Sequence, residues 1–221
     1  MGITAQLKQV SVQNLALLRE DPAIAELFFG THWQPENALQ RFMERRKDST
    51  LRYEPDSLKA KFLEDWEEPE LDLEKSHQEL TFLLAGYTCD KLSSPWTQPE
   101  PKRYGSNGSF LQFSVILESE WDGLPLVNAI GAGATLEHRT GYGSVRYLLP
   151  NEVEQILEGL LKLTKNGFQE RYRREAQRSE RCPWFEWYSE ELEYLTWEYS
   201  YIVQYYQDSV RLGYAMLLYL S

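Results

Sequence analysis

The chain has 221 residues, 42% hydrophobic and 14% aromatic, with 23 basic against 34 acidic side chains and a net charge of −11. A single domain of this length buries roughly 70% of its unfolded surface, so it needs neither a disulfide framework nor a structural metal to fold. The aromatic content excludes disorder, and the acidic balance repels phosphate backbones and anionic membranes, which excludes nucleic acid and membrane as expected partners.

Residues 3–10 read as a strand. Ser11 then caps a helix to about residue 20, with Val12, Leu15 and Leu18 on one face. Asp21 and Pro22 open a second helix that runs to Phe29 and stops at Gly30. Helical patterns follow at 35–47 and 55–66, with apolar stripes Leu39, Phe42, Met43 and Leu58, Phe62, Trp66. They suggest a helical pair folded over the body like a lid, ending in an acidic turn at 64–70.

The stretch LDLEKSHQELTFLLAG at 71–86 places Leu73, His77, Leu80 and Leu84 on one face. It reads as a buried helix capped by Asp72 and closed by Gly86. Pro95, Pro99 and Pro101 mark a loop, Gly105 to Gly108 a turn, and 110–117 a strand. After Gly131-Ala132-Gly133, strands are expected at 134–139 and 145–148 around the turn Gly141-Tyr142-Gly143. Pro150 opens a helix to about 163, and another spans 166–177.

Ser189 caps the last helix. Leu192, Leu195, Tyr199, Ile202 and Tyr206 form one stripe; Tyr194, Trp197, Tyr201 and Tyr205 form a second beside it. So wide an apolar face is expected inside, packed on both flanks. Gly213 ends the helix, and 214–220 is a closing strand.

Three segments together resemble the YfbM-like family of bacterial proteins of unknown function. They are MGITAQLKQVSVQNLALL at the start, LDLEKSHQELTFLLAG in the middle, and YLLPNEVEQILEGL with YYQDSVRLGYAMLLYLS towards the end. The middle one follows a family pattern of Leu-Asp-Ile-Asp-Lys, an aromatic, then Leu-x-Phe-x-Leu-x-Gly. His77 stands where the family usually has Trp, and Leu149 where it often has a capping Thr; losing that cap costs roughly 1 kcal/mol unless Asn151 caps instead. The resemblance implies an α+β, three-layer domain over 1–221. A small mixed sheet of N-terminal, central and C-terminal strands is covered by helices. A helical insertion near 34–69 and a proline-rich loop near 93–109 lie outside the resemblance. It brings no activity and no catalytic residue.

Chemistry-bearing residues are few. Asp72, Glu74, Lys75 and His77 could serve acid–base catalysis, but a helix cap, a charge at the helix start, a solvated lysine and a core histidine explain them as well. Arg139, Tyr142 and Arg146 gather near glycine turns as an anion-binding spot, or as partners of surface acids. Trp184, Phe185, Trp187 and Tyr188 either anchor the last helix or form a hot-spot patch for a partner.

The glycine loop lacks the third glycine of a dinucleotide fingerprint, and no Walker motif or Gly-x-Ser-x-Gly elbow is present. His32, His77 and His138 are too far apart in sequence to read as metal ligands, so no metal or cofactor is expected. Cys89 and Cys182 read as structural thiols, and the start MGITAQLKQV has no signal-peptide pattern, which points to a reducing cytoplasm. The function these features suggest is a non-catalytic binding, interaction or accessory protein with an unidentified protein partner. The alternative is an enzyme or small-molecule binder with a pocket assembled near Asp72, His77, Arg139 and Arg146.

Overall fold

A computed structural model describes residues 3–34, 36–45, 54–85, 87–88, 103–104, 109–110, 117–118, 125–177 and 187–221. Chain order is β1 (Ala5–Val10), α1 (Val12–Glu20), α2 (Pro22–Trp33), α3 (Ala38–Arg45), α4 (Pro55–Glu67), β2 (Glu70–Asp72) and α5 (His77–Ala85). The short pieces β3 (Tyr87–Thr88), β4 (Arg103–Tyr104), β5 (Ser109–Phe110) and β6 (Leu117–Glu118) pair as β3 with β6 and β4 with β5. A 3-10 turn (Leu126–Ala129), β7 (Ala134–Thr140), β8 (Gly143–Leu148), α6 (Pro150–Lys162), α7 (Lys165–Ala176), α8 (Ser189–Leu212) and β9 (Ala215–Leu220) complete it.

The sequence AMLLYL explains the architecture. All six residues of β9 are buried, so neither face of this strand meets water. Strand side chains alternate between faces. Met216, Leu218 and Leu220 enter one core, with α5, α6, α7 and α8; Ala215, Leu217 and Tyr219 enter another, with α1, α2, α3 and α4. The result is helices, sheet, helices. The sheet has five strands in the order β2-β1-β9-β8-β7, with β9 at its centre. The α+β class and the origin of the strands match the expectation, while every pairing is antiparallel rather than mixed.

Local chemistry sets the helix ends. The Ser11 hydroxyl accepts from the Asn14 N–H at 3.2 Å, and the Asp21 carboxylate from the Ala23 N–H at 2.8 Å. Leu149 has no capping side chain; instead its own N–H donates to the Glu152 carboxylate at 2.9 Å, half of a capping box. Tyr188, not Ser189, occupies the cap position of α8, and Gly213 ends that helix with φ 67°.

Two further boundaries differ from the sequence reading. Gly30 lies inside α2, where an added Cβ would stand 3.2 Å from the Ala38 Cβ. It marks the close approach of α3, not a stop. The helical pair packs into the body, with Phe42, Leu58 and Phe62 fully enclosed in the second core. Residues 70–72 are an edge strand rather than the start of a helix, and α5 begins only at His77. Asp72 accordingly caps nothing; its carboxylate accepts from the Glu74 N–H at 2.7 Å within a turn. Cys89, Cys182, Gly86, the Gly105 to Gly108 turn and most of the proline-rich loop and the 110–117 strand lie outside the described residues.

Two substitutions test this arrangement. Leu218→Ala removes a buried side chain of the central strand and should lower unfolding free energy by about 2–5 kcal/mol in urea titration. Gly133 has φ +122° and would put a Cβ 2.7 Å from the Tyr147 carbonyl oxygen, whereas a Cβ on Gly141 meets nothing within 4 Å. Gly133→Ala should therefore cost more than about 1 kcal/mol, and Gly141→Ala within about 0.5 kcal/mol of zero.

Candidate functional site

Helical period brings Trp197, Tyr201, Gln204 and Asp208 onto one stripe of α8. This stripe faces out of the core. Trp197 is 54% exposed and Tyr201 44% exposed, so the second aromatic stripe is not packed on both flanks as its composition suggests. Their rings meet edge to face at 4.2 Å between centroids, and Tyr194 stands one turn earlier, 6.5 Å from Trp197.

Opposite this stripe runs β2 with the turn that follows it. Between them lies a groove of about 460 Å³. Five acidic residues line it, Glu70, Asp72, Glu74, Glu198 and Asp208, although the Glu70 carboxylate turns to the second-core face to accept from Tyr219. Among the described residues no lysine, arginine or histidine does; Arg211 pairs with Asp208 at 2.9 Å from one helical turn further along. Glu198 is buried, and that burial, with Glu74 and Asp72 nearby, holds its carboxyl above the usual range although Tyr194 hydrogen-bonds to it.

Tyr205 fixes the floor. Its hydroxyl accepts from the Gln9 N–H at 2.8 Å and reaches the carbonyls of Leu7 and Pro69, both at 2.9 Å. Helix α8 is thereby pinned to β1 and to the residue before β2. Gln9 adds bonds to the Tyr205 carbonyl and to the Ser209 hydroxyl.

Behind β2 the charge continues into the second core. Lys8 is fully buried, with its ammonium 5.2 Å from the centre of the Trp66 ring and donating to the Glu68 carbonyl. Burial pushes its pKa down to about 8, against the pull of Glu70, Asp65 and Glu68. Burial likewise raises the carboxyls of Asp65 and Glu70. Asn14 and Ser11 hydrogen-bond to Asp65, and the Tyr219 hydroxyl donates to Glu70. Glu70 thus belongs to both the groove and the buried cluster. His32 stacks on the other side of this cluster, 4.2 Å from Trp66.

The residues singled out in sequence do not converge. Asp72 lies on β2 and Arg139 on β7, the two outer strands, four strand spacings or roughly 19 Å apart. His77 is buried in the first turn of α5. Arg146 is half-buried, its pKa lowered to about 10 by that burial, and donates to the Gly133 carbonyl at 3.0 Å. Arg139 is exposed beside a smaller cavity of about 220 Å³ that Trp33, Arg41, His138 and Glu26 also line, and Tyr142 is exposed in the adjoining turn. Trp187 packs edge-on against Tyr172 at 5.1 Å, and Tyr188 is exposed; Trp184 and Phe185 lie outside the described residues. Of the residues singled out, Asp72 and Glu74 line the groove.

A cavity of about 510 Å³ between the 3-10 turn and α6 is larger, but it offers one acid, Glu158, one base, Lys162, and no aromatic ring. Among the described residues, no three His, Cys, Asp or Glu side chains form a metal-holding group, and no helix is long and apolar enough to cross a membrane.

Helical layers on both faces of an antiparallel sheet, with an acidic and aromatic groove at one edge, define an α+β protein. The chain belongs to the family described as "Domain of unknown function (DUF1877)", whose model matches residues 1–219. Among solved structures it is similar to YfbM from Escherichia coli, a protein of unknown function, at 14% identity and a TM-score of 0.48, with 99% of each chain covered. This is the family to which the three sequence segments point. No curated protein matches the chain.

The lowered pKa of Lys8 has a measurable sign. Between about pH 8 and 10 the unfolded chain holds a proton on this amine that the folded chain has lost, so stability rises with pH in that window. The slope is at most about 1.4 kcal/mol per pH unit. Buried tyrosines oppose it above about pH 10, where only the unfolded ones ionise. Lys8→Met should flatten the rise in guanidinium titrations at pH 8, 9 and 10; an unchanged slope would assign it elsewhere.

Proposed function

We propose that this is a non-catalytic binding protein, accessory to a protein partner, and that the groove between β2 and α8 receives a positively charged part of that partner. One observation carries the reading: five acidic residues and two exposed aromatic rings line one concave surface that, among the described residues, no basic side chain lines. An ammonium or guanidinium over a Trp or Tyr face gains about 0.5–2 kcal/mol, more as water is excluded. The carboxylates add steering and select against acidic or neutral partners. Desolvated Glu198, held above its usual pKa, is stabilised in its charged form when a cation arrives.

A lysine-rich octapeptide titrated calorimetrically at low ionic strength tests the proposal. Binding should weaken roughly 2–30-fold in Trp197→Ala, the cation–π contribution expressed as a ratio. It should also weaken with added salt. Affinity should rise with pH through and above the ordinary glutamate value of about 4.3, because the bound cation favours the ionised carboxylates. No binding, or binding indifferent to Trp197→Ala, sinks the reading.

A further inference from the structure

The groove has a wall of unsatisfied backbone. Ala5 directs both of its backbone groups towards the segment after β2: its carbonyl accepts from the Leu73 N–H at 2.8 Å, and its N–H donates to the Glu74 carbonyl at 3.3 Å. Thr4 directs both of its groups the other way, to Ser221 at 2.9 Å. Backbone direction in a strand alternates with a period of two. Leu7, two residues on from Ala5, therefore faces β2, where its register partner is Leu71. The inward groups of β2 are those of Leu71. The N–H and C=O groups of Glu70 and Asp72 point outward, away from β1. Among the described residues they have no backbone partner and β2 has no strand on that side.

An open edge beside a lined groove is the arrangement by which sheets take up an extended peptide: main-chain hydrogen bonds hold it, and alternate side chains enter the groove. We infer that β2 is a strand-addition site, and that the charged group in the groove is carried by an extended basic segment of the partner protein, laid along Glu70 to Asp72. This rests on the cationic-groove reading and names its occupant.

Charge decides which occupant. Short charged edge strands normally block edge-to-edge pairing. Here the charges are all of one sign, so they reject neutral and acidic strands and accept basic ones. A second copy of this chain would bring the same acidic edge and a net charge of −11, so self-pairing through β2 is opposed. The groove sits on the α8 side of β2, where alternate side chains of an added strand point towards Trp197 and Tyr201. The other alternate set points to the second-core face of β2, the face on which Glu70 meets Tyr219. The preferred segment thus has lysine or arginine at every second position.

Three probes separate this inference from the reading beneath it. The first is an acetylated and amidated octapeptide alternating lysine and threonine. The second is a pair of its variants, one N-methylated at every lysine and one at every threonine. The third is spermidine, which has the charge but no peptide backbone. Affinities are measured by calorimetry, and the hydrogen exchange of the Glu70 and Asp72 amides is followed by NMR. The parent peptide should slow exchange at Glu70 or Asp72 at least tenfold. One N-methylated variant should bind at least tenfold more weakly, while the other stays within about threefold of the parent. Spermidine should bind without protecting either amide.

Equal affinity of both N-methylated variants and the parent, with no amide protection, would overturn strand addition and leave the cationic groove standing. Failure of both the peptide and spermidine to bind would overturn the two together. Trp197→Ala should weaken the peptide and spermidine alike, since it alters the groove and not the edge.

Discussion

The structure depends on one strand being dry on both faces. Ordinary half-buried strands alternate apolar and polar residues, but β9 sits between two helical layers and has no solvent side. Its side chains are divided between the two cores, so each core is completed by half of the same hexapeptide. Strand β1 pairs with it over six residues and β8 over three, which holds both halves of the sheet to a common centre. Everything that positions the groove follows: β1 holds β2 at the outer edge, and Tyr205 locks α8 across both.

Strand β1 does what β9 avoids. It carries Lys8 and Gln9 into the interior, one to each face. Gln9 donates to α8 three times, once from its backbone N–H and twice from its side-chain amide. Lys8 is surrounded by acids whose carboxyls burial raises, so the same desolvation opposes charge on both partners. Such a cluster is a weak source of stability. Its geometric effect is clearer: Glu70 is tethered from behind by Tyr219 and drawn by Lys8, which fixes the direction of β2 at the rim of the groove.

Much of this was legible in the sequence, and the failures have physical causes. The helix starts at Ser11 and Asp21, the αL stop at Gly213 and the apolar run of β9 are local signals, and local chemistry decides them. Strand β2 was hidden because three residues are too few to show a period of two, and the Leu73, His77, Leu80, Leu84 spacing beside it mimics one long helix. The groove was hidden for a different reason. Trp and Tyr signal burial on average, so Trp197 and Tyr201 read as core; what marks them as exposed is their company on the same stripe, Gln204 and Asp208. The groove's acids come from two segments more than a hundred residues apart, and only the sheet brings them together. The sequence-based grouping of Asp72 with Arg139 and Arg146 fails because chain proximity to turns says nothing about which edge of a sheet a strand will occupy.

The central position of β9 also has a kinetic side. The outer pairs β1–β2 and β7–β8 can each form early, but the sheet closes only when a strand far along the chain inserts between them; its contact with β1 joins residue 5 to residue 220. Contacts of that sequence separation are slow to form. Until they do, each half-sheet presents a bare inner edge. The missing piece, AMLLYL, is six uncharged residues without proline or glycine, the composition that stacks readily with copies of itself. The segment that gives the native fold its centre is therefore also the one most able to pair with the wrong chain while folding is incomplete, and aggregation during refolding should begin there.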